Sequence, residues 1–283
     1  VVVTVEEGAE LSIADGDERN EGVYEAVEEV AGAPDPCMES HYGYGTRAGW
    51  RRIRRALAER GVSATLNACG RALLRSPWIA EEALADGHEI MAHGYRWERH
   101  AGMDEARERR AIADTMEAIA RSSGTLPVGW HTRSASTPAT RRLLVEHGGF
   151  LYDCNAYDDD VPYVEHVAGH AHVVLPYAFD TNDMRFHNRG GFIQAEDFAR
   201  YCITAFDRLY AEGGDEPRMM SVGLHLRIIG RPARIEGLER FLDHAASRPG
   251  TWFARRDAIA HAWRAGLNLP PWQPRPTPPE FAP

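Results

Sequence analysis

The sequence predicts an α/β fold, and within that class a distorted (β/α) barrel with mostly parallel strands. Short apolar segments alternate with amphipathic segments of helical periodicity along most of the chain. This alternation is typical of parallel strands joined by right-handed helical crossovers. Glycines follow three of the helical segments, where helices commonly end, at Gly61, Gly87 and Gly148. A single barrel accounts for the pattern better than two domains do.

Seven apolar segments and six helical segments can be assigned in chain order. The predicted strands are Val1–Val5, Ala64–Ala68, Glu89–Ala92, Val128–His131, His172–Leu175, Ser221–Leu226 and Thr251–Ala254. The predicted helices are Ala48–Arg60, Ile79–Ala85, Met103–Ser122, Thr137–His147, Ala195–Ala211 and Ile235–Ser247. Residues 267–283 contain seven prolines, which predicts a tail that lies on the surface or is flexible. We therefore predict one barrel domain over residues 1–266 and a proline-rich tail over residues 267–283.

The amino-acid composition argues against several classes of function. The net charge of −10 argues against nucleic acid as a partner, and no apolar run is long enough to predict a membrane span. The 283 residues include no lysine, so neither a Schiff-base lysine nor a phosphate-loop lysine is available. The four cysteines are scattered without a CxxC pair. We interpret them as unpaired thiols and expect a reducing, cytoplasmic location.

Polar side chains follow the predicted strands, at the end where (β/α) barrels carry their chemistry. Glu6 and Glu7 follow the first strand. Adjacent residues of a strand point to opposite faces, but a turn at Gly8 would let both carboxylates reach the barrel mouth. Two like charges in a partly buried site raise the pKa of at least one of them, which makes a usable general base. The alternative is a solvated acidic turn.

The third strand leads into His93, which is typical of half of a metal site. A second histidine four residues later would complete a clamp for a divalent ion, but that position is Trp97. An indole has an N–H donor and no lone pair for a metal, so Trp97 cannot be a ligand. His100, seven residues after His93, is a candidate for a displaced ligand.

Later strands offer further candidates. Arg133 carries a planar fork of donors suited to a carboxylate or a polarised carbonyl. Asn182 and Asp183 can hydrogen-bond a histidine or a substrate amide, although capping and turn formation would also explain them. His225 emerges from an otherwise apolar strand and is the best candidate for a general acid, with a buried structural histidine as the alternative.

Taken together, these segments resemble the polysaccharide deacetylase superfamily, carbohydrate esterase family 4. That family has a T-F-D-D-G strand end, a G-H-E-I segment leading to H-x-x-x-H, and a later strand ending in histidine. The corresponding segments here are Thr4–Gly8, His88–Trp97 and Leu224–His225. The first two deviate, and the deviations resemble the deacetylase-type allantoinases, a branch described as metal-independent. Further segments resembling that branch are Gly129–Thr132, Thr140–Leu143, Gly148–Asp153, Leu175–Tyr177, Asp180–Phe186, Met219–Arg227 and Gly230–Pro232.

The resemblance implies a hydrolase of non-peptide C–N bonds that opens the ring of a cyclic ureide or imide such as allantoin. It implies that Glu6 activates water and that His225 protonates the leaving nitrogen. Arg133 would orient the base, and Asp183 would support a histidine. The remaining residues expected to bind substrate are Glu7, His93, Trp97, Trp130, Asn182 and Arg227.

No cofactor is expected, because a leaving nitrogen between two carbonyls is already stabilised and hydrogen bonds can replace a Lewis acid. Trp97 and Trp130 are expected to wall a small flat pocket. One alternative is a metal-dependent N-deacetylase of an amino sugar, peptidoglycan or small acetylated metabolite, with Zn held by Glu7, His93 and, as a further ligand, His100. Another is a ligand-binding homologue without turnover. The resemblance also implies a homo-oligomer.

Overall fold

Eight short strands form one mostly parallel sheet in the computed structural model of the protein, which describes residues 1–23, 25, 28–214 and 216–281. The order across the sheet is β6-β7-β5-β4-β3-β2-β1-β8, and only β6 and β7 pair antiparallel. The strands are β1 (Val2–Val5), β2 (Thr65–Ala68), β3 (Glu89–Ala92), β4 (Gly129–Trp130), β5 (Tyr152–Asp153), β6 (Tyr163–Val167), β7 (His170–Val174) and β8 (Gly223–His225). Over the described residues β6 and β8 stay unpaired with each other, so the predicted α/β fold is confirmed with its barrel open on one side.

Helices cover the sheet and connect its parallel strands. They are α1 (Pro36–Tyr44), α2 (Trp50–Ala58), α3 (Gly70–Arg75), α4 (Pro77–Ala85), α5 (Glu105–Ser123), α6 (Thr140–His147), α7 (Ala195–Glu212), α8 (Pro232–Ala246) and α9 (Arg256–Gly266). A π-helix, Gly45–Gly49, joins α1 to α2, and a 3-10 helix, Asp183–His187, precedes α7. The helices contribute buried apolar residues to the core; in α2, for example, Ile53 and Leu57 are fully buried in the main core.

The parallel register places polar residues in rows across the barrel interior. Thr4 lies opposite Asn67 on one side and opposite His225 on the other, so these three side chains occupy one row on the same face. Two residues further along, Glu6 and His93 occupy the next row at the mouth. Backbone bonds continue the ladder beyond the assigned strands, since His93 N–H donates to the Ala68 carbonyl at 2.9 Å. The interior face therefore becomes polar at the carboxyl ends of the strands.

Helix α9 closes the opposite end of the barrel. Glu89 is buried there and accepts hydrogen bonds from Tyr152 Oη at 2.7 Å and from the backbone N–H of Asp257 at 3.0 Å. The second donor belongs to the first turn of α9, where a carboxylate is favoured by the helix dipole. This end holds the structural network, and the other end holds the candidate chemistry.

One predicted strand is wrong, and several observed elements were not predicted. The predicted strand Thr251–Ala254 is wrong: it lacks strand structure because β8 already pairs with β1 on one side and is bridged by Asn182 on the other. The prediction included β7, as His172–Leu175, but missed β6 and the two-residue turn that joins them at Ala168 and Gly169, where φ is positive at both positions, 50° and 79°. It also missed β5 and the helices α1, α3 and α9.

The proline-rich tail lies against the domain as far as residue 281. Phe281 is buried, its ring centre 5.1 Å from that of His147 and 5.0 Å from the Arg109 guanidinium. We expected the tail either to lie on the surface or to be flexible, and its described part lies on the surface of the domain. No helix in the described residues is long and apolar enough to cross a membrane.

Candidate active site

Glu6 is the buried carboxylate at the centre of the barrel mouth, with 1% of its surface exposed. One oxygen, Oε2, accepts a hydrogen bond from Arg227 Nη1 at 2.7 Å. The other, Oε1, lies 3.4 Å from His225 Nε2 and 3.7 Å from His93 Nε2. Burial raises the pKa of Glu6, but the charges of Arg227 and His225 outweigh burial and hold that pKa well below its ordinary value. Glu6 is therefore ionised at neutral pH.

His225, at the end of β8, is held by a single carboxylate. Asp183 is fully buried; its Oδ1 accepts from His225 Nδ1 at 2.6 Å, and its Oδ2 accepts from the His225 backbone N–H at 2.7 Å. Burial lowers the pKa of His225, but Glu6 and Asp183 together raise it to about 10. The imidazole is thus protonated at neutral pH, with its Nε2–H directed toward Glu6.

His93, which follows β3, is oriented by a backbone group. Its Nδ1–H donates to the carbonyl of His131 at 2.5 Å, and the two imidazole rings stack with centres 5.5 Å apart. This bond places the second nitrogen, Nε2, toward Glu6. In its neutral form His93 therefore presents a lone pair to the mouth, 3.7 Å from a carboxylate oxygen that is also an acceptor.

Arg227 supplies the buried positive charge of the site. Only 3% of its surface is exposed, and its guanidinium carbon lies 4.6 Å from the ring centre of Tyr42 and 5.0 Å from that of Trp97. These aromatic faces and the Glu6 carboxylate fix a desolvated cation. The pKa of Arg227 is raised well above its ordinary value, because its neighbouring carboxylates outweigh burial.

Glu7 shares the Arg227 guanidinium with Glu6, since Arg227 Nη1 also donates to Glu7 Oε1 at 3.4 Å, and the chain makes the expected turn at Gly8 with φ of 96°. Its Oε1 accepts from the backbone N–H of Arg227 at 3.2 Å, and its carboxylate fills the space that a side chain at Gly45 would occupy. It lines a separate cavity of about 270 Å³ with Glu10 and other polar residues. Burial raises the pKa of Glu7 to about 7, against the opposing charge of Arg227.

Arg133 does not contact the base, contrary to expectation. Its guanidinium donates to both oxygens of Glu21, at 2.9 and 3.0 Å, and to the carbonyl of Trp97 at 2.7 Å. The residue that binds the Glu6 carboxylate is Arg227, which the sequence assigned to substrate binding. Arg227 lies in the turn that directly follows β8, the strand paired with β1, and this turn brings it beside Glu6.

Trp130 and Trp97 do not wall an open pocket. Trp130 is completely buried on the helix-covered face of the sheet, where its ring packs edge-on against Phe150. Adjacent Gly129 takes the interior position of that strand, so Trp130 must point outward. Trp97 is 6% exposed and packs against the guanidinium groups of Arg133 and Arg227.

Two other residues that we expected at the site have structural contacts instead. The Asn182 side chain caps the 3-10 helix, accepting from Met184 N–H at 2.8 Å, and its amide nitrogen donates to Tyr177 Oη at 3.3 Å. The expectation that it contacts substrate is therefore not supported. His100 is buried, and its Nδ1 lies 3.0 Å from Glu108 Oε1, within a network outside the mouth.

The residues that would hold a divalent ion in this family do not fit one here. Within the described ranges no three histidine, cysteine, aspartate or glutamate side chains are placed to share a metal. Position 97 is an indole, Glu7 is bound to backbone N–H groups, and His100 is paired with Glu108. The cation nearest Glu6 is the Arg227 guanidinium. The zinc set of the alternative interpretation, Glu7 and His93 with His100 as a further ligand, is thus not assembled in the described residues.

Sequence reasoning missed four residues beside the site. His131 and Asn67 face the interior, where Asn67 Nδ2 and His131 Nδ1 lie 3.3 Å apart. Tyr157 Oη is 3.1 Å from His131 Nε2, and its ring stacks on that of Phe179 with centres 4.1 Å apart. Both rings are partly exposed, at 39% and 55%. The signal for Tyr157 was its position just after β5, the strand that the prediction overlooked.

The chain belongs to the polysaccharide deacetylase family, whose model matches residues 33–151. The crystal structure of a probable polysaccharide deacetylase from Pseudomonas aeruginosa PAO1 is 43% identical over 95% of this chain and 91% of that one, with a TM-score of 0.90. The crystal structure of PuuE allantoinase is 44% identical over 93% of this chain and 89% of that one, with a TM-score of 0.89. A Schizosaccharomyces pombe member of the family is 33% identical over 93% of this chain and 89% of its own length.

Proposed function

We propose that the protein hydrolyses a ring C–N bond of a small cyclic ureide or imide, of which allantoin is the first candidate, without a metal ion. The observation that carries the proposal is the arrangement around Glu6, which combines an ionised carboxylate, the buried Arg227 cation and the protonated His225. The similarity to PuuE allantoinase supports the choice of substrate class.

The attacking water is bound between Glu6 and His93. With His93 neutral, Glu6 Oε1 and His93 Nε2 are both acceptors and lie 3.7 Å apart, so one water within about 2.8 Å of each can donate a hydrogen to both. The oxygen of that water then directs a lone pair into the mouth. As it attacks the ring carbonyl carbon, one of its protons passes to Glu6.

The leaving nitrogen receives its proton from His225. The C–N bond breaks as the tetrahedral intermediate collapses, and the Nε2–H of His225 protonates the nitrogen that departs. Asp183 keeps the imidazole in the required orientation through its bond at 2.6 Å. The proton gained by Glu6 can return to His225, because their side chains are only 3.4 Å apart. Glu6 and His225 thus return to their starting protonation states without a third residue.

A ring nitrogen between two carbonyls suits this apparatus better than a simple acetamide does. The depressed pKa of Glu6 makes it a weak base, and the raised pKa of His225 makes it a weak acid, so neither group can drive a very difficult step. An imide or ureide nitrogen leaves as a stabilised anion and needs less assistance. The directions of these two pKa shifts therefore favour an activated cyclic substrate over an N-acetyl group.

The test is a substrate panel with purified protein. Ring opening of allantoin, hydantoin and succinimide is compared with acetate release from N-acetylglucosamine oligomers. We expect ring opening of at least one cyclic substrate, and a loss of about 10²-fold or more in Glu6→Gln and His225→Ala. Glu82→Gln is the control with unchanged rate, because Glu82, on α4, contacts Trp50 Nε1 and Arg54 and none of the residues around Glu6.

Acetate release without any ring opening would contradict the proposal and support an N-deacetylase. The absence of both reactions, with Glu6→Gln and His225→Ala binding ligands like the unaltered protein, would support a homologue that does not catalyse.

A further inference from the structure

Carboxylates of the segment that follows β1, residues 9–23, bind arginines from the connections after β2, β3 and β4. The pairs are Asp15 with Arg75 (2.6 Å), Asp17 with Arg96 (2.5 Å) and Glu21 with Arg133 (2.9 Å). The segment is thereby held across the carboxyl edge of the sheet, beside Glu6. These three ion pairs differ in the other residues that their arginines contact.

The Glu21 pair continues toward the active site. Both oxygens of Glu21 accept from Arg133, a two-point contact that fixes the plane of the guanidinium. Arg133 also donates to the Trp97 carbonyl at 2.7 Å, and its guanidinium carbon lies 3.4 Å from the centre of the Trp97 ring. Glu21 is 8% exposed, so its charge acts on Arg133 with little screening by water.

Trp97 in turn contacts the cation that binds the base. Its ring centre lies 5.0 Å from the Arg227 guanidinium carbon, and Arg227 Nη1 donates to Glu6 Oε2 at 2.7 Å. The path from Glu21 to Glu6 therefore consists of four direct contacts through Arg133, Trp97 and Arg227. The Asp15 pairs take another course: Asp15 binds Arg75, which packs against Gly8, and Arg71 at 2.9 Å, and within the described residues neither arginine contacts Trp97 or Arg227.

We propose that Glu21 and Arg133 are positioning residues for Glu6: they hold Trp97 against Arg227 and so keep the Arg227 guanidinium on the Glu6 carboxylate. The Trp97 indole, at the position where the family pattern has a second histidine, then has a structural role: it packs against the Arg227 guanidinium. The kinetic consequence rests on the proposed function, whereas the contact between Arg227 and Glu6 can be measured without it.

The structural test is a crystal structure of Glu21→Gln beside one of Asp15→Asn. Gln keeps the shape of Glu21 but removes the charge that fixes Arg133. We expect the distance between Arg227 Nη1 and Glu6 Oε2 to exceed 3.5 Å, the limit of a hydrogen bond, in Glu21→Gln only. An unchanged contact of 2.7 Å in Glu21→Gln would overturn the inference.

The kinetic test is the pH dependence of kcat/KM. The acidic limb reports Glu6, which is faced by Arg227, His225, His93 and Glu7. Loosening Arg227 removes a positive charge from Glu6, so we expect Glu21→Gln to move this limb to higher pH and to lower kcat about tenfold, with KM little changed. Glu21→Asp, which keeps the charge, should restore most of the rate, and Asp15→Asn should leave the limb in place.

Equal losses of rate in Glu21→Gln and Asp15→Asn, with no movement of the limb, would overturn the inference and indicate a general loosening of the segment. If the unaltered protein opens no cyclic ureide or imide, the proposed function fails, and the crystallographic distance alone decides the inference.

Discussion

We expect Glu7 to make the folded protein less stable as the pH rises, because its buried carboxyl prefers to stay protonated. Its pKa rises from an ordinary 4.5 to about 7 on folding. Below pH 4.5 the group is protonated in both states and has no effect. Between the two values only the unfolded chain ionises, so unfolding becomes more favourable by about 3 kcal/mol in total, at ~1.4 kcal/mol per pKa unit.

Glu7→Gln removes this titration while keeping an oxygen that can accept from the Arg227 backbone. The assay is urea unfolding followed by circular dichroism at about pH 4.5 and about pH 8. Relative to the unaltered protein, the free energy of unfolding of Glu7→Gln should rise by about 3 kcal/mol between these two conditions.

A second buried glutamate provides a control of opposite sign. Burial raises the pKa of Glu108, but hydrogen bonds from His100, Thr137 and Thr140 outweigh burial and lower it. Its ionised form therefore stabilises the fold above its unfolded pKa, and this contribution is lost as the pH falls through its folded pKa. Glu108→Gln should lose more stability at pH 8 than in acid. A difference between Glu7→Gln and the unaltered protein that is the same at both pH values would refute the reasoning.

Three further predictions concern the active site. Asp183→Asn should lower the basic limb of the pH–rate profile from about 10, because Asp183 helps to raise the pKa of His225, and should cost about 10²-fold in kcat; an unmoved limb would contradict the assignment of His225 as acid. Arg227→Gln should raise the pKa of Glu6, and the acidic limb should move to higher pH, which the same profile measures. Trp97→His should bind no zinc in calorimetry, because the Glu7 carboxylate is already occupied by the backbone N–H groups of Glu6 and Arg227 and by the Arg227 guanidinium; stoichiometric binding would show that a metal site is present.

Much of the fold could be predicted because parallel strands buried on both faces are almost continuously apolar. β3 was predicted with its observed bounds, Glu89–Ala92. Strand β6 could not be predicted in the same way, because Tyr163–Val167 lies at the edge of the sheet and is only partly buried. Its polar residues hide the alternation that a buried strand shows.

The sequence predicts which residues lie at the candidate site better than it predicts which of their side chains are in contact. Strand ends identify Glu6, His93 and His225 as neighbours, because all parallel strands finish at one edge. Which arginine reaches Glu6 depends on side-chain direction and loop course, and neither is written in residue spacing. Arg133 pairs with Glu21, which is 112 residues away in sequence, and Arg227 binds the base instead.

The metal dependence of ring opening tests the central claim most directly. Protein stripped with a strong chelator, with its metal content measured by mass spectrometry, is assayed on whichever cyclic substrate the panel identifies. If Glu6, His225 and Arg227 together do the work of a metal ion, the rate will be the same at metal contents far below one ion per chain and will not increase when zinc is added. A rate that falls with the metal content and returns with zinc would contradict the account.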